Sequence, residues 1–164
     1  IERDGAFRKG YDLARAIALQ EKDRAGNDIA DITLDSRGSI LFTIPTLFRV
    51  FVLSPDGELK AFGRVGSNPG AFGVVAGVAA DDDGNILVAD KGRGVVIVFD
   101  EQFRLVTEFG AEEEGPSGLA RPAELALGRS GKLYVTQARE RGVAVFRIGG
   151  GAGEKPPDAR PPGP

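Results

Sequence analysis

The 164-residue chain contains no cysteine, no histidine and no methionine. Without cysteine there are no disulfides, thiolate metal sites or thiol nucleophiles. Without histidine, the commonest general base and the imidazole ligands of zinc and haem are missing too. What remains for a metal is carboxylates, amides, hydroxyls and carbonyls, a set suited to calcium or magnesium and ill suited to zinc, copper or iron. Serine hydroxyls lack a neighbouring imidazole to activate them, so Ser36, Ser117 and Ser130 read as turn residues. No stretch approaches about 18 uninterrupted apolar residues, so membrane insertion is not expected. Lys and Arg total 21 against 24 Asp and Glu, a net charge of -3. That balance leaves no basic excess for a nucleic-acid partner. The absence of methionine and a start at Ile1 give the expectation that a longer protein extends upstream.

What the chain does contain is a repeat. Val78 to Phe109 recurs upstream as Ile32 to Phe62 and downstream as Leu125 to Ile148. Gly38, Gly84 and Gly131 head equivalent apolar runs at spacings of about 46 and 47 residues. A period of that size, holding several short alternating segments, marks the blade of a β-propeller. The expected fold class is all-β: four-stranded antiparallel blades, about three of them present, forming a partial ring.

Within the middle unit the spacing predicts strands over Val78 to Ala80, Ile86 to Ala89, Val95 to Phe99 and Arg104 to Phe109. The unbroken apolar run from Ile86 to Ala89 implies a strand buried on both faces, whereas the alternation of Leu105, Thr107 and Phe109 suits an outer edge. The first unit repeats the pattern at Ile32 to Leu34, Ile40 to Thr43, Arg49 to Leu53 and Glu58 to Phe62, with Pro55-Asp56-Gly57 as a hairpin. The last unit offers three strands, Glu124 to Leu127, Lys132 to Thr136 and Gly142 to Ile148; its fourth is missing.

Residues 1–28 read as the remnant of a preceding blade and a connection. On the spacing of Tyr11, Leu53, Phe99 and Phe146, Ala6 to Asp12 is a third strand and Ala14 to Gln20 a fourth. A helix from Asp12 to Lys22, with Leu13, Ala16 and Ile17 on one face, is the competing reading. Residues 29–148 hold the blades. Residues 149–164, GGGAGEKPPDARPPGP, lack the apolar area to offset ordering and read as a linker or tail.

The segment GVAADDDGNILVADKGRGVVIVFD carries an Asp three residues before a Gly, an apolar run and a closing Val-Phe, and FGAEEEGPSGLARPAELALGRSGKLYVTQARERGVAVF repeats the pattern with Gly128 in place of that Asp. On these motifs residues 29–148 resemble the NHL-repeat propellers. The resemblance implies a ring of usually six blades, of which this chain would be the C-terminal half. It also implies a final blade completed by a strand from elsewhere and, from bacterial members, a periplasmic or extracellular location. Such propellers include lyases, lactonase relatives, RNA binders, sensor ectodomains and adaptors, so the resemblance speaks to fold more than to function.

Candidate sites follow. Asp81, Asp82, Asp83 and Asn85 offer oxygens for calcium, but the counterparts Asp35-Ser36-Arg37-Gly38 and Gly128-Arg129-Ser130-Gly131 lack the acid cluster, which favours a solvated turn. Glu124, at the start of an inner strand, is the other calcium candidate. Asp90 with Arg93, and the corresponding Arg49 and Arg141, lie where the resemblance places a recurring Asp and Arg. Such an Arg can fork to a carboxylate or to carbonyls of the next blade and fix blade stacking, or it can read an anionic ligand; repetition favours the structural role. Glu112, Glu113 and Glu114, with Lys91, Arg93 and Arg139, occupy loops of the kind propellers use for contact. Phe42, Phe48 and Phe72 are either interface anchors or core.

The resulting expectation is a non-catalytic scaffold that binds a protein partner, with no cofactor. Its ring would be closed by a missing N-terminal half or by a second copy. The alternative is half of a calcium-dependent lactonase-like or lyase-like propeller.

Overall fold

The computed structural model describes residues 9–18, 20, 25–111, 117–128, 131–138 and 141–148. Eleven strands among them form three antiparallel sheets. Sheet 1 runs β1 (Asp31–Leu34), β2 (Ile40–Ile44), β3 (Arg49–Leu53) and β4 (Leu59–Phe62). Sheet 2 runs β5 (Val75–Ala80), β6 (Ile86–Asp90), β7 (Val95–Phe99) and β8 (Leu105–Phe109). Sheet 3 holds β9 (Pro122–Gly128), β10 (Lys132–Gln137) and β11 (Val143–Arg147). Strands are hydrogen-bonded in sequence order within each sheet, so each is a simple meander. The described residues include no helix long and apolar enough to cross a membrane.

Local chemistry explains the meander. Four of the hairpin turns are built alike, around Asp35, Ser54, Asp81 and Asp100. In each, the backbone N–H of the first residue donates to the carbonyl of the residue four further on. The side chain of the first residue accepts in return from the N–H of that residue: Ser39, Glu58, Asn85 or Arg104. The residue before it sits at positive φ, which glycine adopts freely at Gly38, Gly57 and Gly84. In the fourth turn Phe103 takes that conformation, at φ 62. Its ring stacks on Phe62 at 4.6 Å, and this packing across the seam offsets the unfavourable backbone.

The sheets stack as an open array in which the first strands β1, β5 and β9 lie side by side. The middle sheet is apolar on both faces, and every residue of β6 and β7 is buried. One face joins Leu41, Val50 and Phe62 of sheet 1 through Val88, Ile97 and Phe99; the other joins Leu133 and Val135 of sheet 3 through Leu87, Val96 and Val98. Each such side chain, fully buried, contributes about 1.5–3 kcal/mol. Direct polar bonds also cross the first seam. Thr43 Oγ1 donates to the carbonyl of Ala76 at 2.6 Å, and Val78 N–H donates to Asp31 Oδ2 at 2.8 Å. Val78 is free to do so because the β5–β6 register shifts between Val75 and Val78.

The strands fall where the period predicts, within a few residues at each end, and the last sheet has three. Two expectations need correction. Ala14 to Gln20 is not an outer strand: Leu13–Ala16 form α1, one helical turn, with the Asp12 carboxylate accepting from Arg15 N–H at 2.9 Å. Residues 9–12 are not in a strand either, while Ala6 to Arg8 lie outside the described residues. The reason is packing, since Leu13 and Ile17 share a helical face and rest on Phe42, Ile44 and Phe51. Phe42 and Phe72 are fully buried and Phe48 is half-buried against the first seam, so all three are core.

Candidate functional site

The inter-blade connections and the β2–β3 and β6–β7 links share one end of the array, and here the polar side chains converge. Asp90, at the end of β6, is fully buried. Its Oδ2 accepts from Gly73 N–H at 2.6 Å, and its Oδ1 from the N–H groups of Val74, Gly92 and Arg93 at 2.9, 2.9 and 3.0 Å. One carboxylate thus holds two loops, the connection from β4 to β5 and the link from β6 to β7. Arg93 completes the clamp. Its Nη1 donates to the Ala71 carbonyl at 2.9 Å and to Glu108 Oε2 at 3.0 Å, while Nη2 donates to Glu108 Oε1 at 2.6 Å. Arg93 and Glu108 are only 14% and 23% exposed, so their forked pair is better shielded than the pairs Arg37–Glu101, Lys60–Glu58 and Arg104–Asp100.

What the clamp positions is Phe72. Held between Ala71 and Gly73, its ring enters the seam within 6.4 Å of Phe62 and 5.7 Å of Phe99. The third sheet repeats the device with other residues. Gln137 Oε1 accepts from Ala120 N–H at 2.8 Å, Arg141 Nη1 donates to the Gly118 carbonyl at 3.0 Å, and Leu119 between them is buried in the second seam. Sequence reading singled out Arg141 but missed Gln137, an amide in place of Asp90; its position 47 residues on was the available signal.

The stacking role assigned to Asp90, Arg93 and Arg141 therefore takes a different form. Arg93 forks to a carboxylate of its own blade and to the connection, not to the next blade. Arg49 does not share the role. It is the exposed first residue of β3, paired in register with Ile44, and the counterparts of Asp90 and Arg93 in the first sheet are Ile44 and Leu47. The identity of those residues removes the clamp from that blade.

Hydrogen bonds from Arg93 hold the Glu108 carboxyl below its usual range despite partial burial, with help from Gly70 N–H. At Asp35 burial acts to raise the value, but the donors of Ser39 and Arg37 outweigh it; at Asp100 the Arg104 N–H lowers it first. A carboxyl depressed in the folded state adds stability that is complete above its unfolded value and is lost as pH falls through the folded one. Stability should therefore decline below about pH 4.3. In Glu108→Gln one component of that decline should vanish, so urea midpoints of variant and parent should differ at pH 7 and converge toward pH 2.

The remaining nominees are dispersed. Asp81 Oδ1 accepts from Asp83 and Asn85 N–H at 3.0 and 2.8 Å, and its Oδ2 from Asn85 Nδ2 at 2.7 Å. Its oxygens are thus occupied by the turn, as at Asp35 and Asp100, and Asp82 and Asp83 point outward. No cluster of three or more metal-ligating side chains occurs among the described residues. Glu124 is exposed on β9, its N–H donating to Thr136 Oγ1. Lys91 is half-buried beside the clamp. Glu112, Glu113, Glu114 and Arg139 lie outside the described residues, as do Ser130 and residues 149–164.

Stacked antiparallel meanders of three or four strands, with their first strands side by side, define a propeller, here as an open array of three blades among the described residues. The comparisons agree: the chain is an NHL-like partial propeller. It is 29% identical over 102 residues to the human NHL-repeat-containing protein 4, spanning 56% of this chain and 76% of that protein. No family model matches. Among solved structures it is similar to a catalytically inactive virginiamycin B lyase of Staphylococcus aureus with quinupristin (TM-score 0.56, 18% identity, 76% of this chain and 42% of that one). It is also similar to regucalcin, a calcium-binding protein of Agrobacterium tumefaciens (TM-score 0.53, 20% identity, 69% and 39%). The chain thus spans about two-fifths of these solved propellers.

Proposed function

We propose that the chain is a non-catalytic propeller segment whose role is to bind another polypeptide, which completes the third blade. The observation that carries this reading is the outer end of the second seam. Phe109 and Phe146 meet at 4.9 Å, as Phe62 and Phe99 do one repeat earlier. At the earlier seam β8 flanks β7 and Phe103 covers the pair. At the later one, β11 pairs on one side only among the described strands, and no described ring covers Phe109. A cleft of about 450 Å³ remains, bounded by Phe109, Gly110, Ala111, Ser117, Phe146 and Arg147. Tyr134, Val143 and Val145 on the adjoining face are 39–55% exposed. An unpaired edge beside an apolar cleft suits an added antiparallel strand that brings an aromatic side chain from its turn. The strand would come from an upstream half of the protein or from a second copy.

A synthetic peptide with the sequence of Asp100 to Phe109 imitates that missing element. It should bind saturably and slow amide exchange along Val143–Arg147, and replacing its turn phenylalanine with alanine should weaken binding at least about tenfold. Absence of saturable binding, or binding that leaves β11 exchange unchanged, would sink the proposal. Calcium should not shift the thermal midpoint. A calcium-dependent rise abolished by Asp83→Ala or Glu124→Ala would argue for the calcium-dependent enzyme instead.

A further inference from the structure

The two ends of the array are not alike. Among the described residues the outward face of blade 3 leaves Tyr134, Val143 and Val145 39–55% exposed, whereas the outward face of blade 1 is already occupied. Phe42, Ile44 and Phe51 are buried there by Ile40 and Leu59 of their own sheet and Leu47 of the β2–β3 link, together with Leu13 and Ile17 of the α1 segment. We infer that α1 is a built-in partial cap of the first blade, which occupies the apolar centre of this face and leaves blade 3 as the docking end.

Three observations carry the inference. The first is equivalence: Ile40, Phe42, Ile44 and Phe51 occupy the register positions of Ile86, Val88, Asp90 and Ile97, the face by which blade 2 packs on the blade before it. α1 therefore sits where a preceding blade would stack. The second is substitution of the clamp. Where blade 2 has Asp90 and Arg93, which hold an incoming connection through its backbone, blade 1 has Ile44 and Leu47. A buried acceptor, Asp90, and a half-buried donor, Arg93, have apolar counterparts here, and both of those pack in the cluster that receives Leu13 and Ile17. The capping surface is thus written into blade 1 as well as into α1. A clamp recruits backbone by hydrogen bonds, whereas this surface recruits apolar side chains. The third is local: Asp12 caps the turn through Arg15 N–H, so the Leu13–Ile17 spacing is set by the segment itself.

Terminal units of repeat arrays need such covers, because an inner face left open exposes core-type side chains. The cover is partial. Ile32 and Leu34 on β1 stay 57% and 64% exposed along the inner edge, and Ala61 on β4 is exposed at the outer one. The inference concerns the opposite end of the array from the strand-binding edge, and the peptide experiment at β11 reads that edge independently.

The test is Leu13→Asp combined with Ile17→Asp in the full chain, with Ala16→Asp as the exposed control. The double variant should increase fluorescence of an apolar dye severalfold and raise the mass measured by light scattering, with the control unchanged. Peptide binding at β11 should persist. Unchanged dye binding and mass in a folded double variant would overturn the proposal. If the double variant does not fold, the parent chain decides. Nuclear Overhauser contacts between the methyls of Leu13 or Ile17 and the rings of Phe42 or Phe51 support the cap, and their absence overturns it.

Discussion

Replacing Asp90 with alanine should lower the unfolding free energy by about 3–5 kcal/mol, because four N–H groups lose at once the buried carboxylate that accepts from them. The damage should propagate along a defined path. Gly73 and Val74 are released from β6, Arg93 loses the anchor of its backbone N–H, and Phe72 is no longer held in the seam. Asp90→Asn should cost less, since one amide oxygen can keep the three donors now shared by Oδ1 while its NH2 faces Gly73 N–H. Equilibrium denaturation orders the three proteins. An alanine variant as stable as the parent would mean that the connection is held by Phe72 packing alone. Loss of the Gly73 and Val74 amide protection in exchange measurements would locate the effect at the clamp.

Gly77→Val should be comparably damaging for a different reason. The Cβ added at Gly77 would overlap the carbonyl oxygen of Ala123 and lie 2.9 Å from the Cα of Glu124 and 3.0 Å from the nitrogen of Leu125. These are backbone atoms of β9, so no rotamer change relieves the contact and the two blades must part at their inner strands. Destabilisation of about 3 kcal/mol is expected, with the loss centred on the second seam. Gly57→Ala provides the contrast. A side chain there meets nothing within 4 Å, and only its φ of +92° opposes the change, about 1–2 kcal/mol. Chemical denaturation of both variants separates the contributions; a harmless Gly77→Val would show that β5 and β9 are not in close contact in solution.

Much of the fold was legible because its determinants are local or periodic. The turns around Asp35, Asp81 and Asp100 close within five residues, and the apolar runs of β6 and β7 declare burial without reference to any neighbour. The structural role of Asp90 and Arg93 was visible as recurrence, but its partners were not: Glu108 and the Ala71 carbonyl enter only through the third dimension. Arg49 misled because counting along the chain cannot tell the link between two strands from the first residue of a strand. The segment around Leu13 carried both helical and strand patterns, and nothing within it decided between them.

By itself, then, the sequence determined a β-propeller array: about three blades, three recognisable strands in the last of them, and a residue set without imidazole or thiol chemistry. Those follow from composition, from hydrogen bonds that close over a few residues, and from a period that repeats the same side chain in the same environment. Only the tertiary structure decided that Gly77 must lack a side chain, that Asp31 and Thr43 bond across the first seam, and that α1 covers blade 1. In each case the deciding neighbour lies on another element, at a separation in sequence where chain distance carries no information about distance in space.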